Sequence, residues 1–351
     1  MRLLVTLLRL HLLCAGALVG CGARSGLDIA STSSVNPAPN TPTQLVLYNG
    51  TTGDGDTWIW NGNAWTELNV SGRQPPRFGA AMASVGGTVV LFSGWDGTGA
   101  HGDTWEFDGA SWTQVVVQGP RARSDTAFAT LDDKLVVFGG TPDGGATVLG
   151  ETWIWDGASW TEASTTGPSA RAGPAAATVG GRVVLFGGLD ASQTWLDDTW
   201  SWDGSNWTQL AVPGPSARDS IKAGSLGERA VLFGGRDPNL MPLGDAWSFD
   251  GSNWTQVAAT GPSPRWGDAM ATLGSSIVLF GGTDDATDFG DTWRTWWGFR
   301  PRAMRRPMPW RACRRRCSAP QLGRGFRRIC CGSRSGSPGE AASARFAEEV
   351  E

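Results

Sequence analysis

The sequence predicts an all-β fold assembled from repeated antiparallel units of four short strands. Three observations predict it. The run DTWSWDGSNWTQL at Asp198 returns in nearly the same wording at Asp56, Asp103, Glu151 and Asp245, and starts again at Asp291. The first Trp of each run falls at 58, 105, 153, 200, 247 and 293, and a constant period of this size marks a repeat architecture. Within each unit the aromatic residues follow a two-residue period, and helical spacing is absent.

Each unit opens on an apolar run ending in Gly-Gly, as at Phe138-Gly139-Gly140, Phe186-Gly187-Gly188 and Phe233-Gly234-Gly235. Weaker versions stand at Phe92-Ser93-Gly94 and Tyr48-Asn49-Gly50. A loop then leads to the Asp-Thr-Trp strand, in which Trp200 and Trp202 share one face. Asp203-Gly204 and its counterparts turn the chain, because Gly accepts the positive φ that tight hairpins need. The next strand carries Trp207, and a Gly-Pro loop brings in an Arg that recurs as Arg77, Arg123, Arg171, Arg218 and Arg265. A strand of small residues follows. Four short strands at this spacing make the blades of a β-propeller.

This order of elements resembles the kelch repeat over roughly residues 44 to 293. Trp60, Phe107, Trp155, Trp202 and Phe249 occupy the aromatic position of that family, and Trp65, Trp112, Trp160, Trp207 and Trp254 its Trp position. The resemblance implies a kelch-type β-propeller, with five complete units plus a truncated sixth, in the superfamily that includes galactose oxidase. One departure stands out: where the family often has His after the Arg, this chain has Ala80, Thr126, Pro174, Ile221 and Asp268. Recurrence at motif positions assigns the Trp residues to the wedges between blades, where each can bury ~150–250 Å². The same reasoning gives the repeated Arg and the Asp of the Asp-Thr-Trp run a structural part, as an ion pair or loop clamp repeated once per blade. Trp95 and Trp195 fall outside the pattern, in the loops after Gly-Gly, and are candidates for exposed contact residues.

The two ends read differently. Residues 1–20 have the form of an export signal, with Arg2 ahead of an apolar stretch. Leu18-Val19-Gly20-Cys21 resembles a bacterial lipobox, which implies cleavage before Cys21 and a lipid anchor on that residue. Gly22 after the cysteine favours the outer membrane in that family. Residues 21–43, rich in Ser, Thr and Pro, then serve as a flexible tether, and the chain is expected as an exported lipoprotein of the outer membrane or cell surface. Residues 294–351 hold 14 Arg against 4 Glu, whereas residues 1–293 hold 15 basic against 29 acidic residues. Four of the six cysteines fall in this tail. It reads as a basic arm for anionic lipid, lipopolysaccharide or nucleic acid, as a poorly spaced metal site, or as out-of-frame translation; the break in mid-motif favours the last. With no upstream strand legible, five units and a stub are expected to leave the ring open.

Composition argues against catalysis. After export one His remains, His101, and the chain has a single Tyr, Tyr48. A kelch-like copper oxidase needs two of each as ligands, and no nucleophile elbow or phosphate loop is present. The variable loops on the rigid scaffold are the candidate binding surface: Trp95, Asp96 and His101, then Asp143, Asp190, Trp195, Asp237, Asp284 and Asp285. Clustered carboxylates suit Ca²⁺, but turn formation accounts for these Asp more simply, so no metal or cofactor is expected. The expected role is a non-catalytic scaffold for protein partners at the cell envelope, reaching the membrane through its lipid and not binding nucleic acid. The alternative is a lectin-like or carbohydrate-processing propeller that takes a cell-surface glycan.

Overall fold

The computed structural model describes residues 27–32, 44–49, 55–163, 166–257, 261–296 and 299–304. Cys21, the export signal and the Arg- and Cys-rich residues from 305 onward lie outside the described residues. The regular elements are all strands. They form six antiparallel four-stranded sheets and one short extra pair, Arg171–Ala172 with Leu189–Asp190.

The fourth blade shows how the sequence builds one unit. Ala175–Val179, Arg182–Phe186, Thr199–Trp202 and Trp207–Leu210 pair in chain order. At the Asp203-Gly204 turn the Asp203 carboxylate accepts the amide N–H groups of Ser205 and Asn206 at 2.9 and 2.8 Å, and Gly204 takes φ +97°. The pleat then sends Trp202 and Trp207 to one face, where they pair cross-strand.

Six inner strands surround the axis: Leu27–Thr32, Ala81–Val85, Ala127–Leu131, Ala175–Val179, Lys222–Leu226 and Trp266–Leu273. Each lies against the next, and the last against the first, so the ring is closed. This corrects the expectation of an open ring. The missing strand, Leu27–Thr32, lies within the stretch read as tether and pairs in register with Gln44–Asn49. Its text, LDIAST, carries neither Gly-Gly nor an aromatic, so the repeat pattern does not reveal it. At the other end the sixth blade has its repeat wording cut short. Its third strand nevertheless runs Thr292–Trp296 and a fourth, Phe299–Met304, pairs with it across a register shift between Arg294 and Trp296. Backbone pairing tolerates a change of side-chain text, because the ladder uses main-chain groups.

Blades are joined by one repeated contact. Trp160 lies between Trp155 of its own blade, centroids 5.4 Å apart, and Phe92 of the preceding blade at 4.7 Å. Its Nε1 donates to the buried Thr104 hydroxyl of that preceding blade at 2.9 Å. Trp112, Trp207 and Trp254 do the same to Thr57, Thr152 and Thr199. Trp65 of the first blade donates to Thr292 of the sixth at 2.9 Å, which closes the circle with the same device. The Gly-Pro loop makes room for it: a Cβ on Gly119 would stand 2.6 Å from Trp160 Cδ1. Apolar clusters fill five wedges between successive blades, including the one between the sixth and the first. Trp160→Phe keeps the ring contacts but strands the Thr104 hydroxyl; chemical denaturation should show a loss of ~1–3 kcal/mol, and an unchanged midpoint would rule the clasp out as a stabilising contact.

The wedge between blades five and six is different. Ala246 stands where the acceptor Thr stands elsewhere, and Gly224 leaves a gap that Ile277 of the sixth blade fills. Within this seam Asp268 is fully buried.

The loop face and channel mouth as candidate site

The loops after Gly-Gly and the loops before each Arg open on one face of the ring. Five buried arginines hold that face together. Arg171 is completely enclosed, yet each of its donors has an acceptor: Gly187 O at 3.0 Å, Ser169 O and Oγ both at 2.9 Å, and both carboxylate oxygens of Asp198 at 2.5 and 2.9 Å. The guanidinium thus fastens the start of the inner strand to the Gly-Gly bend and to the start of the third strand. Arg218 and Arg265 repeat the arrangement on Asp245 and Asp291, Arg77 on Asp103, and Arg123 makes a single contact with Glu151 at 3.2 Å. Burial pushes the Asp198 carboxyl up, but the hydrogen bonds and charge of Arg171, with the Trp200 indole, outweigh it and hold the group below its ordinary range.

Beyond each Arg the backbone rises to the channel mouth. There the residue after the Arg pairs with the residue after the second Gly, and every blade brings different chemistry. The pairs are Phe78 with Trp95, Ser124 with Thr141, Ala172 with Leu189, Asp219 with Arg236, and Trp266 with Thr283. The next residues, Gly79, Asp125, Gly173, Ser220 and Gly267, all take positive φ. They stitch blade to blade: the Asp125 amide donates to Gly79 O at 2.9 Å, Gly173 to Asp125 O at 2.8 Å, and Gly267 to Ser220 O at 3.3 Å. Below this rim a small, solvent-open recess is lined by Thr126 and by small and apolar residues, with Lys222 its one charged side chain. The Lys222 ammonium lies 5.7 Å from the Phe128 ring centre.

The sequence-predicted residues lie on this face, one loop per blade, but they do not form one cluster. Among the described residues no group of three or more His, Cys, Asp and Glu is placed to hold a metal. The loop carboxylates are committed to their own loops. Asp96 accepts the amides of Thr98 and Gly99 and lies 3.1 Å from His101 Nε2. Asp143 accepts the Thr147 amide, Asp190 those of Ser192 and Thr194, Asp237 those of Asn239 and Met241, and Asp284 those of Ala286 and Thr287. Asp285, exposed, holds φ +73° with its amide on the Thr283 hydroxyl. Burial raises the Asp96 carboxyl, but its hydrogen bonds to Thr98, Gly99 and His101 prevail and keep it well below the carboxylate range.

Trp95 and Trp195 are half-buried, not the exposed contact residues the sequence suggests. Trp95 bridges to Phe78 and Ala100, and the Trp195 indole N–H is enclosed without an acceptor. Three features escape the sequence reading. Trp266 is buried under the Arg236 guanidinium at 4.4 Å, while Arg236 also pairs with Asp219 at 2.9 Å. Leu240 and Met241 stand exposed at the tip of the fifth-blade loop. Asp268, at the variable position after Arg265, has neither oxygen hydrogen-bonded to another residue. Two of the three carry a sequence signal: Trp266 falls off the Trp repeat, and Asp268 is an acid where other blades have apolar residues or Thr.

The arrangement presents chemically varied loops, each braced by hydrogen bonds of its own. Residues 110–282 match the model of the KLHDC2/KLHL20/DRC7 Kelch-repeats domain. A search of curated proteins returned no match. The matched span runs through the third, fourth and fifth blades into the sixth, the same Arg-pinned, Trp-clasped unit recurs around the whole ring, and the chain is a kelch-repeat β-propeller.

Proposed function

We propose that this propeller is a non-catalytic scaffold for protein partners, carried on the bacterial cell envelope by a lipid on Cys21. The observation that carries the reading is the loop face itself. Its carboxylates are spent on fixing loop shape, while the side chains at each loop tip and mouth position differ from blade to blade. A fixed frame with variable display suits recognition of extended protein surfaces. The lipobox-like Leu18-Val19-Gly20-Cys21 supports the anchor.

A photo-crosslinking amino acid placed at Thr98 or Ala146 on the loop face, and at Ser205 or Ser252 on the Asp-Gly turn face, tests the scaffold in intact cells. Discrete adducts are expected from the loop-face positions. Adducts confined to the turn face would overturn the choice of face, and saturable sugar binding on a glycan array, lost in Trp95→Ala, would replace the scaffold with a lectin. Metabolic labelling with an alkyne fatty acid should be lost in Cys21→Ser; undiminished labelling of that variant would remove the anchor.

A further inference from the structure

Blades four and five carry the same turn after their Gly-Gly. In the fourth, Asp190 N–H donates to Thr194 O at 3.1 Å and Gln193 N–H to Asp190 O at 3.1 Å, while the Asp190 carboxylate caps Ser192 and Thr194. In the fifth, Asp237 N–H donates to Met241 O at 3.1 Å and Leu240 N–H to Asp237 O at 2.9 Å, while the Asp237 carboxylate caps Asn239 and Met241. Even the strained residue coincides, Gln193 at φ +59° and Leu240 at φ +63°. The two turns differ in their text. The fourth blade places Gln193 and Thr194 where the fifth places Leu240 and Met241.

Blade four therefore shows that this turn forms with polar residues. Leu240 and Met241 add nothing that the turn requires, and they are left 49% and 59% exposed. Leu in the left-handed region also costs roughly 1–2 kcal/mol. Two adjacent apolar side chains raised on a rigid, hydrogen-bonded tip have the form of an interface anchor. The surroundings add a charge signature. Asp237, Asp190, Asp197, Asp284, Asp285 and Asp288 belong to the loops of blades four to six on this face. The local cation, Arg236, is engaged by Asp219 and the Trp266 ring.

The geometry points to Leu240 and Met241 as the apolar anchor of a docking surface for a protein that offers an apolar pocket rimmed by Lys and Arg. This deepens the scaffold reading and rests on it. The acidic loops steer such a partner and the anchor holds it, so association should weaken with added salt.

Panning displayed random short peptides against the full-length protein tests the assignment. Enriched peptides should combine large apolar residues with Lys or Arg, and their binding should fall as salt rises. The double variant Leu240→Gln, Met241→Thr, which writes the blade-four text onto the blade-five turn, should keep the melting temperature and lose the enriched peptides by about tenfold or more. Peptides that bind the double variant as well as wild type, or that are acidic, overturn the anchor. If their binding falls instead in Trp95→Ala, the scaffold survives and this patch does not. Failure to enrich any peptide counts against both.

Discussion

Replacing Asp268 with Ile should raise the melting temperature of the propeller at pH 8 and flatten its dependence on pH. Asp268 is fully buried in the seam between blades five and six, its oxygens accept no hydrogen bond from another residue, and blade five holds Ile221 at the same position. Burial pushes its carboxyl up to about 7 from an ordinary 3.8, against weaker opposing effects from its own amide and from the charges of Arg265 and Lys222. An acid raised in this way is held protonated by the fold. The unfolded chain ionises it near pH 4 without penalty, whereas the native state resists ionisation until about pH 7. Native stability therefore declines as pH rises across that window and levels off above it. A gap of about three pKa units corresponds to ~4 kcal/mol, or roughly 10 °C in melting temperature for a domain of this size. Asp268→Asn separates charge from packing: it should also flatten the pH dependence, with a smaller gain. A wild-type melting temperature level from pH 5 to 8, or an Asn variant with the wild-type slope, would disprove the assignment.

The largest loss should come from Arg171→Ala. The guanidinium is fully enclosed and satisfies two backbone carbonyls, a hydroxyl and a carboxylate. Its removal leaves the half-buried Asp198 uncompensated, and breaking one partner of a buried pair costs ~3–5 kcal/mol. Arg171→Lys keeps the charge but not the fork that reaches both oxygens of Asp198, so it should recover only part of the loss. Without Arg171 the burial of Asp198 is no longer outweighed, so its carboxyl should rise, and the stability of Arg171→Ala should fall less steeply below pH 4 than that of wild type. Equal denaturation midpoints for wild type and Arg171→Ala would refute the clamp.

Much of this was legible in the sequence because propeller blades repeat their chemistry. Trp207 and Arg171 recur at fixed spacing, and a residue whose environment is rebuilt in each blade must keep the same type in each. The inner strand Leu27–Thr32 was not legible, since its pairing uses backbone groups and its text shares nothing with the repeats. The loop residues divide in the same way. Asp96, Asp190 and Asp237 stand out as acids for which turn formation is the simpler reading, and the fold shows each carboxylate accepting amides of its own loop. Trp95 and Trp195 lie off the repeat, which suggested exposure; both are half-buried, and their backbones bridge to neighbours at the mouth. Leu240 and Met241 carry no pattern at all, and their meaning appears only when the matching turn in blade four is set beside them.

The indole clasp has a direction that bears on biosynthesis. Trp112, Trp160, Trp207 and Trp254 each reach a Thr that left the ribosome 55 or 56 residues earlier, so those four contacts can form as the nascent chain emerges. Trp65 reaches forward across 227 residues to Thr292. One side of its ring meets Trp60 of its own blade, but the other must wait for Phe280 and Thr292, and any product that stops short of them offers chaperones and proteases an uncovered aromatic edge.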